Sequence, residues 1–103
     1  MNGILSISDI RLVVSQFARQ YGAERIYLFG SYARGEATQD SDIDLRIDKG
    51  MIRGVQLGGL LVDLEESFHK KVDLLTTGSL TKDFLNVIKN EEVLLYEHRK
   101  TGS

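Results

Sequence analysis

The seven residues Asp42-Ile43-Asp44-Leu45-Arg46-Ile47-Asp48 alternate charged and apolar side chains without a break. Only an extended strand, whose side chains repeat every two residues, sorts this string into two faces. Ile43, Leu45 and Ile47 then point to a core, and Asp42, Asp44, Arg46 and Asp48 point away from it. The rest of the chain must supply a sheet that is covered on one side and carries concentrated acid on the other.

The flanking sequence supplies the cover. Ser6-Ile7-Ser8-Asp9 has capping-box form, and Ile10, Val13, Val14, Phe17 and Tyr21 recur at helical spacing until Gly22, which predicts a helix over 7–21. Arg25 to Phe29 is short, β-branched and aromatic, and reads as a mostly buried strand. Residues 30–41 read as a Gly/Ser-rich turn, a single helical turn and a polar loop. After a turn at 50–54, Leu57, Leu60, Leu61, Leu64 and Phe68 predict a second helix through about residue 69. Gly58 and Gly59 weaken it by about 1 kcal/mol each relative to Ala, and mark a bend or a close backbone contact. Lys71 to Thr76 reads as a third strand, Ser79 or Thr81 caps a helix carrying Phe84, Leu85 and Ile88, and Val93 to Tyr96 forms a last strand. His98 to Ser103 reads as a frayed polar tail. This order, α β turn β α β α β, is an α/β (α+β) class chain: one domain over 1–103, with a small mixed β-sheet flanked by helices.

Several function classes drop out on composition. With 13 Lys+Arg against 15 Asp+Glu the net charge is −2, without the basic footprint of extended nucleic-acid binding. The absence of cysteine removes disulfides, thiolate metal sites and a Cys nucleophile. No apolar stretch reaches the roughly 18 to 20 residues of a membrane span. The N-terminus lacks a basic and then apolar leader, so the expected address is cytoplasmic.

The chemistry is concentrated in Gly30-Ser31-Tyr32-Ala33-Arg34-Gly35 and Ser41-Asp42-Ile43-Asp44-Leu45. A Gly-Ser pair leaving a strand into a helical turn aims backbone N–H groups outward, a geometry that binds phosphate; an ordinary strand-to-helix turn looks the same in isolation. Asp42 and Asp44 point the same way, about 6.5 to 7 Å apart at Cα, and repel unless a cation sits between them. Their hard oxygens suit Mg²⁺ together with substrate phosphates. Asp73 interrupts the apolar strand Val72-Asp73-Leu74-Leu75, where an acid needs a partner or water. Asp48 shares the aspartate face at its far end, while Asp40, Asp63, Glu65 and Glu66 read as surface. Tyr32 reads as packing or as a base-stacking ring, and Lys70 and Lys71 as solvated. His69 and His98 have no metal-ligand companion at helical spacing.

Gly30-Ser31, ten residues, Asp42-x-Asp44 and a later strand Asp73 resemble the signature of the DNA polymerase β-type nucleotidyltransferase superfamily. The fuller Gly-Ser-x-Ala-Arg-Gly and Ser-Asp-x-Asp-Leu resemble its minimal nucleotidyltransferases, the MNT group, over essentially the whole chain. The resemblance implies an enzyme with that group's compact core, in which Asp42, Asp44 and Asp73 bind two Mg²⁺ ions and are catalytic. It implies that Gly30 and Ser31 hold the β- and γ-phosphates of ATP, with Arg34, and secondarily Arg46, either neutralising their charge or equally pairing with a neighbouring acid. It further implies transfer of AMP to a hydroxyl. In larger members a helical domain orients the acceptor; one domain of this length leaves the acceptor to another chain. The MNT resemblance implies a HEPN-domain helical protein encoded nearby, adenylylated on tyrosine, with this chain as its antitoxin. Two alternatives stay open: a non-catalytic module that neutralises its partner by covering it, and a nucleotidyltransferase of small molecules, closed by a homo-oligomer.

Overall fold

A computed structural model of the chain describes residues 3–99. Helix α1 spans Ile7–Tyr21, strand β1 Arg25–Phe29, the short helix α2 Gly30–Arg34, and strand β2 Ile43–Asp48. Helix α3 (Gly54–Phe68) leads to strand β3 (Val72–Thr76), and a 3₁₀ turn (Thr77–Ser79) leads to helix α4 (Lys82–Lys89) and strand β4 (Val93–Glu97). The sheet order is β3-β2-β1-β4. β1 runs antiparallel to β2 and β4, while β2 and β3 are parallel, joined by the crossover helix α3.

The alternation in β2 decides the layering. Ile43, Leu45 and Ile47 are fully buried, together with Ile26 and Leu28 of β1, under Ile10, Val14 and Ala18 of α1 and Leu60 and Leu64 of α3. Each such side chain contributes about 2 kcal/mol on burial, so a one-residue slip of β2, which turns this set outward, is strongly disfavoured. On the opposite face Phe29 packs edge-on against Phe84 of α4, with ring centroids 5.9 Å apart.

The expected caps form. Asp9 N–H donates to Ser6 Oγ (3.0 Å) and Ser6 N–H donates to Asp9 Oδ2 (3.1 Å). Thr81, not Ser79, caps α4 by accepting from Phe84 N–H at 3.1 Å; Ser79 Oγ donates instead to Thr76 O. α3 begins at Gly54, three residues ahead of its apolar stripe. Of its two internal glycines, Gly59 marks a close approach: a Cβ there would lie 3.0 Å from Tyr21 Oη. Tyr21 Oη donates to Asp63 Oδ2 (2.5 Å), clasping α1 to α3. Nothing in the structure explains Gly58.

Two acids and a lysine read as surface are tethers. Asp63 accepts the Tyr21 bond, Glu65 accepts from Val72 N–H at 3.0 Å, and Lys70 Nζ donates to Gln39 O at 2.7 Å. The tail is held at its start, since His98 N–H donates to Glu24 O (2.7 Å); residues 100–103 of the expected frayed segment lie outside the described residues. Among the described residues no helix is long and apolar enough to cross a membrane.

Candidate active site

The parallel register sets Asp44 directly beside Asp73, so β2 and β3 present acids side by side on the face away from α1 and α3. Asp42 immediately precedes β2, delivered by a turn in which Thr38 N–H donates to Ser41 Oγ (2.8 Å) and Ser41 N–H donates to Thr38 O (3.0 Å). The Asp42 and Asp73 side chains are half exposed, and Lys71 Nζ stands 4.0 and 3.9 Å from them. Lys71 thus partly neutralises the pair from the solvent side. Asp44 sits deeper, and its carboxyl is pushed up to about 6 by burial first, then by the hydrogen bond and charge of Asp73 and the charge of Asp42, with Arg34 pulling the other way. A carboxylate held so close to two others is destabilised in its charged form.

The Gly-Ser turn meets these acids. β1 pairing places Phe29 opposite Asp44, and Gly30 follows with φ +77°. A Cβ on Gly30 would overlap Asp44 Oδ2, so both the left-handed backbone and the proximity of the carboxylate demand glycine here. Ser31 lies at the start of α2, half-buried, and its hydroxyl makes no hydrogen bond to another described residue. Gly35, with φ +73° and its N–H directed back to Ser31 O and Tyr32 O, closes α2 after a single turn and leaves Arg34 at its end.

Arg34 does reach the site, but not as a free cation. Its Nε donates to Glu36 Oε1 (2.9 Å), and its Nη1 donates to both Glu91 oxygens (3.1 and 3.2 Å). Gly30 N–H donates to Glu91 Oε2 at 2.6 Å.

Arg46 takes the second of its two expected roles, pairing with an acid. On the aspartate face by alternation, it is nonetheless only 5% exposed. Its Nε and Nη2 bind the two Glu92 oxygens (3.0 and 2.7 Å), its Nη1 donates to Thr77 Oγ1 (2.9 Å), and its guanidinium lies 4.0 Å over the Tyr27 ring. Every donor edge is committed to the fold, which removes it as a triphosphate contact. Asp48 belongs to the same network, accepting from Thr77 Oγ1 and flanking Arg46 and Arg25. Tyr32 packs in the core at 4% exposure, its hydroxyl without a hydrogen-bond partner, which rules out stacking on a bound base. His69 is the left-handed C-cap of α3.

The sequence reading missed Glu91 and Glu92. One signal was available: two acids just past the C-terminus of α4 oppose its macrodipole, and such acids require compensating cations elsewhere.

Among the described residues no group of three or more His, Asp or Glu side chains is arranged so as to hold a metal ion. The chemistry of the set nevertheless fits a hard divalent cation: hard carboxylate oxygens on adjacent strands, with the Asp44 carboxyl raised first by burial and then by its acidic neighbours.

A family model described as polymerase beta, nucleotidyltransferase matches residues 13–101. A provisionally named protein adenylyltransferase of Methanocaldococcus jannaschii is 34% identical over 90 residues, which cover 86% of this chain and 97% of that protein. A solved toxin–antitoxin structure with AMP-PNP is similar at a TM-score of 0.71 and 21% identity, covering 92% of this chain and 76% of the matched one. A Shewanella oneidensis complex of tri-AMPylated HEPN toxin with MNT antitoxin matches at 0.67 and 19%, covering 89% and 73%. At these identities the two structures establish likeness of fold. With the family model spanning residues 13–101, and a 34% identical relative matched over nearly its full length, the chain belongs to the polymerase β-type nucleotidyltransferase family.

Proposed function

We propose that this chain transfers AMP from ATP, in a Mg²⁺-dependent reaction, to a tyrosine hydroxyl of a HEPN-domain toxin encoded nearby, and so acts as that toxin's antitoxin. The observation that carries the reading is the position of Asp44, against Asp73 on one side and the bare Cα of Gly30 on the other, which joins acid cluster and phosphate-type turn in one site. Similarity to a protein adenylyltransferase, and to toxin–antitoxin complexes holding AMP-PNP or a tri-AMPylated toxin, supports the choice of nucleotide and acceptor.

Asp42, Asp44 and Asp73 are the residues that would hold two Mg²⁺ ions, which when bound neutralise the triphosphate and lower the pKa of the acceptor hydroxyl. Gly30 N–H and the Ser31 hydroxyl bind the β- and γ-phosphates, and Arg34 offsets their charge. Asp73, on the edge strand, accepts the hydroxyl proton at a carboxylate oxygen. The hydroxyl oxygen bonds to the α-phosphorus as the bond to the bridging β-oxygen breaks in line, and pyrophosphate departs. One nucleotidyltransferase domain over 1–103 carries all of these groups, and the partner brings the acceptor.

The test is to co-express the chain with its genomic neighbour and weigh the purified neighbour intact, with wild type and Asp42→Asn/Asp44→Asn in parallel. A gain of one or more AMP units with wild type alone supports the reading. A neighbour that co-purifies unmodified with both forms overturns transfer in favour of neutralisation by binding, and transfer retained by the double variant overturns the assigned site.

A further inference from the structure

The turn after α4 carries two consecutive acids with different engagements. Glu92 is pinned: its oxygens accept from Arg46 Nε and Nη2 at 3.0 and 2.7 Å, and both side chains are nearly inaccessible. Glu91 reaches across the site face instead. Its Oε2 accepts the short 2.6 Å bond from Gly30 N–H, and both its oxygens accept from Arg34 Nη1. These are the backbone donor and the cation that the nucleotide reading assigns to phosphate oxygens. A carboxylate and a phosphate present the same thing to such donors, namely anionic oxygens about 3 Å away, so the two cannot occupy them together.

We infer that Glu91 is an internal competitor for the phosphate position and thereby determines which ligands the site admits. The inference rests on the nucleotide-transfer reading above. The contact is intramolecular, so its effective concentration is high and constant, and any ligand that uses Gly30 N–H and Arg34 binds against it. ATP must displace it with its β- and γ-phosphates. A ligand without those phosphates leaves it in place. The departing pyrophosphate meets the same competition, which favours its release. Displacement needs little motion: the Glu91 side chain is 19% exposed, and Glu92 anchors the turn through Arg46 while Glu91 rotates toward solvent.

Calorimetric titration of ATP, pyrophosphate and AMP, each with Mg²⁺, into wild type, Glu91→Gln and Glu91→Ala tests this. Glu91→Gln keeps the size and removes the charge, so it decides the matter if Glu91→Ala proves unstable. The expected result is about fivefold tighter binding of ATP and pyrophosphate, the scale of one partly exposed charge pair, with AMP unchanged. ATP affinity that is equal or weaker in Glu91→Gln overturns the inference, since Glu91 would then be neutral or would serve to orient Arg34. An equal gain for AMP also overturns it. If wild type and both variants bind neither ATP nor pyrophosphate, the nucleotide reading itself falls and takes the inference with it.

Discussion

Asp44→Asn is expected to stabilise the metal-free protein at pH 8 and not at pH 4. The Asp44 carboxyl is pushed from its ordinary 3.8 up to about 6, chiefly by burial and by Asp73. The folded protein therefore holds this proton more tightly than the unfolded chain does. The stability it contributes is fully present below about pH 4 and is lost as pH rises through about 6, where the carboxylate must ionise beside two others. Two pKa units correspond to about 3 kcal/mol. Asp44 is only half removed from solvent, so screening reduces this to roughly 1 kcal/mol. Asparagine keeps the shape, clears Gly30 as the carboxylate does, and donates to Asp73. Urea unfolding in EDTA at pH 4 and pH 8, on wild type and variant, isolates the effect as a double difference. For a domain of this size it corresponds to about 4–8 °C in Tm at the higher pH. An equal stability difference at both pH values would refute the electrostatic account, and a variant less stable at pH 8 would reverse it.

Gly30→Ala combines a left-handed backbone with overlap of Asp44 Oδ2, and should cost about 1–3 kcal/mol in denaturant unfolding; wild-type stability would mean that Asp44 does not occupy this place. Arg46→Ala strands Glu92 without its partner and should cost about 3–5 kcal/mol, while the paired replacement Arg46→Met/Glu92→Leu should cost less than Arg46→Ala alone. An exposed rather than structural role for Arg46 would show as near-wild-type stability with lost ATP affinity. Gly58→Ala, with nothing within 4 Å of its Cβ inside α3, should gain about 0.5–1 kcal/mol by thermal melting. A loss there would reveal a packing constraint on α3 that its surroundings do not show.

The periodicities of α1 and β1 were legible because each was written twice, in apolar spacing and in a cap or a glycine stop, while β2 and α3 were legible from side-chain spacing alone. The meeting of Gly30 with Asp44 was legible only as a suspicion: the turn and the acids lie more than ten residues apart, and strand pairing alone brings Phe29 opposite Asp44. Arg46 shows the opposite case. Its place in the alternation was legible, yet the choice between phosphate and acid as its partner was not, because the acid that consumes it arrives from 46 residues further along the chain. Asp63 turned inward for the same reason: the α1–α3 clasp is a contact between elements, invisible to spacing within one.

What the amino-acid sequence determined by itself was therefore local: which segments are helix or strand, which face of β2 is charged, and which residue types are available for phosphate and metal chemistry. Those follow from side-chain period, capping and backbone freedom, each set within a few residues. The tertiary structure alone decided which charges meet which partners. Asp42, Asp44 and Asp73 gather on the face away from α1 and α3, Arg46 is neutralised by Glu92, and Glu91 occupies the Gly30 N–H. Electrostatic pairing depends on distance in space, and the order of residues along a chain does not specify that distance until the sheet has closed.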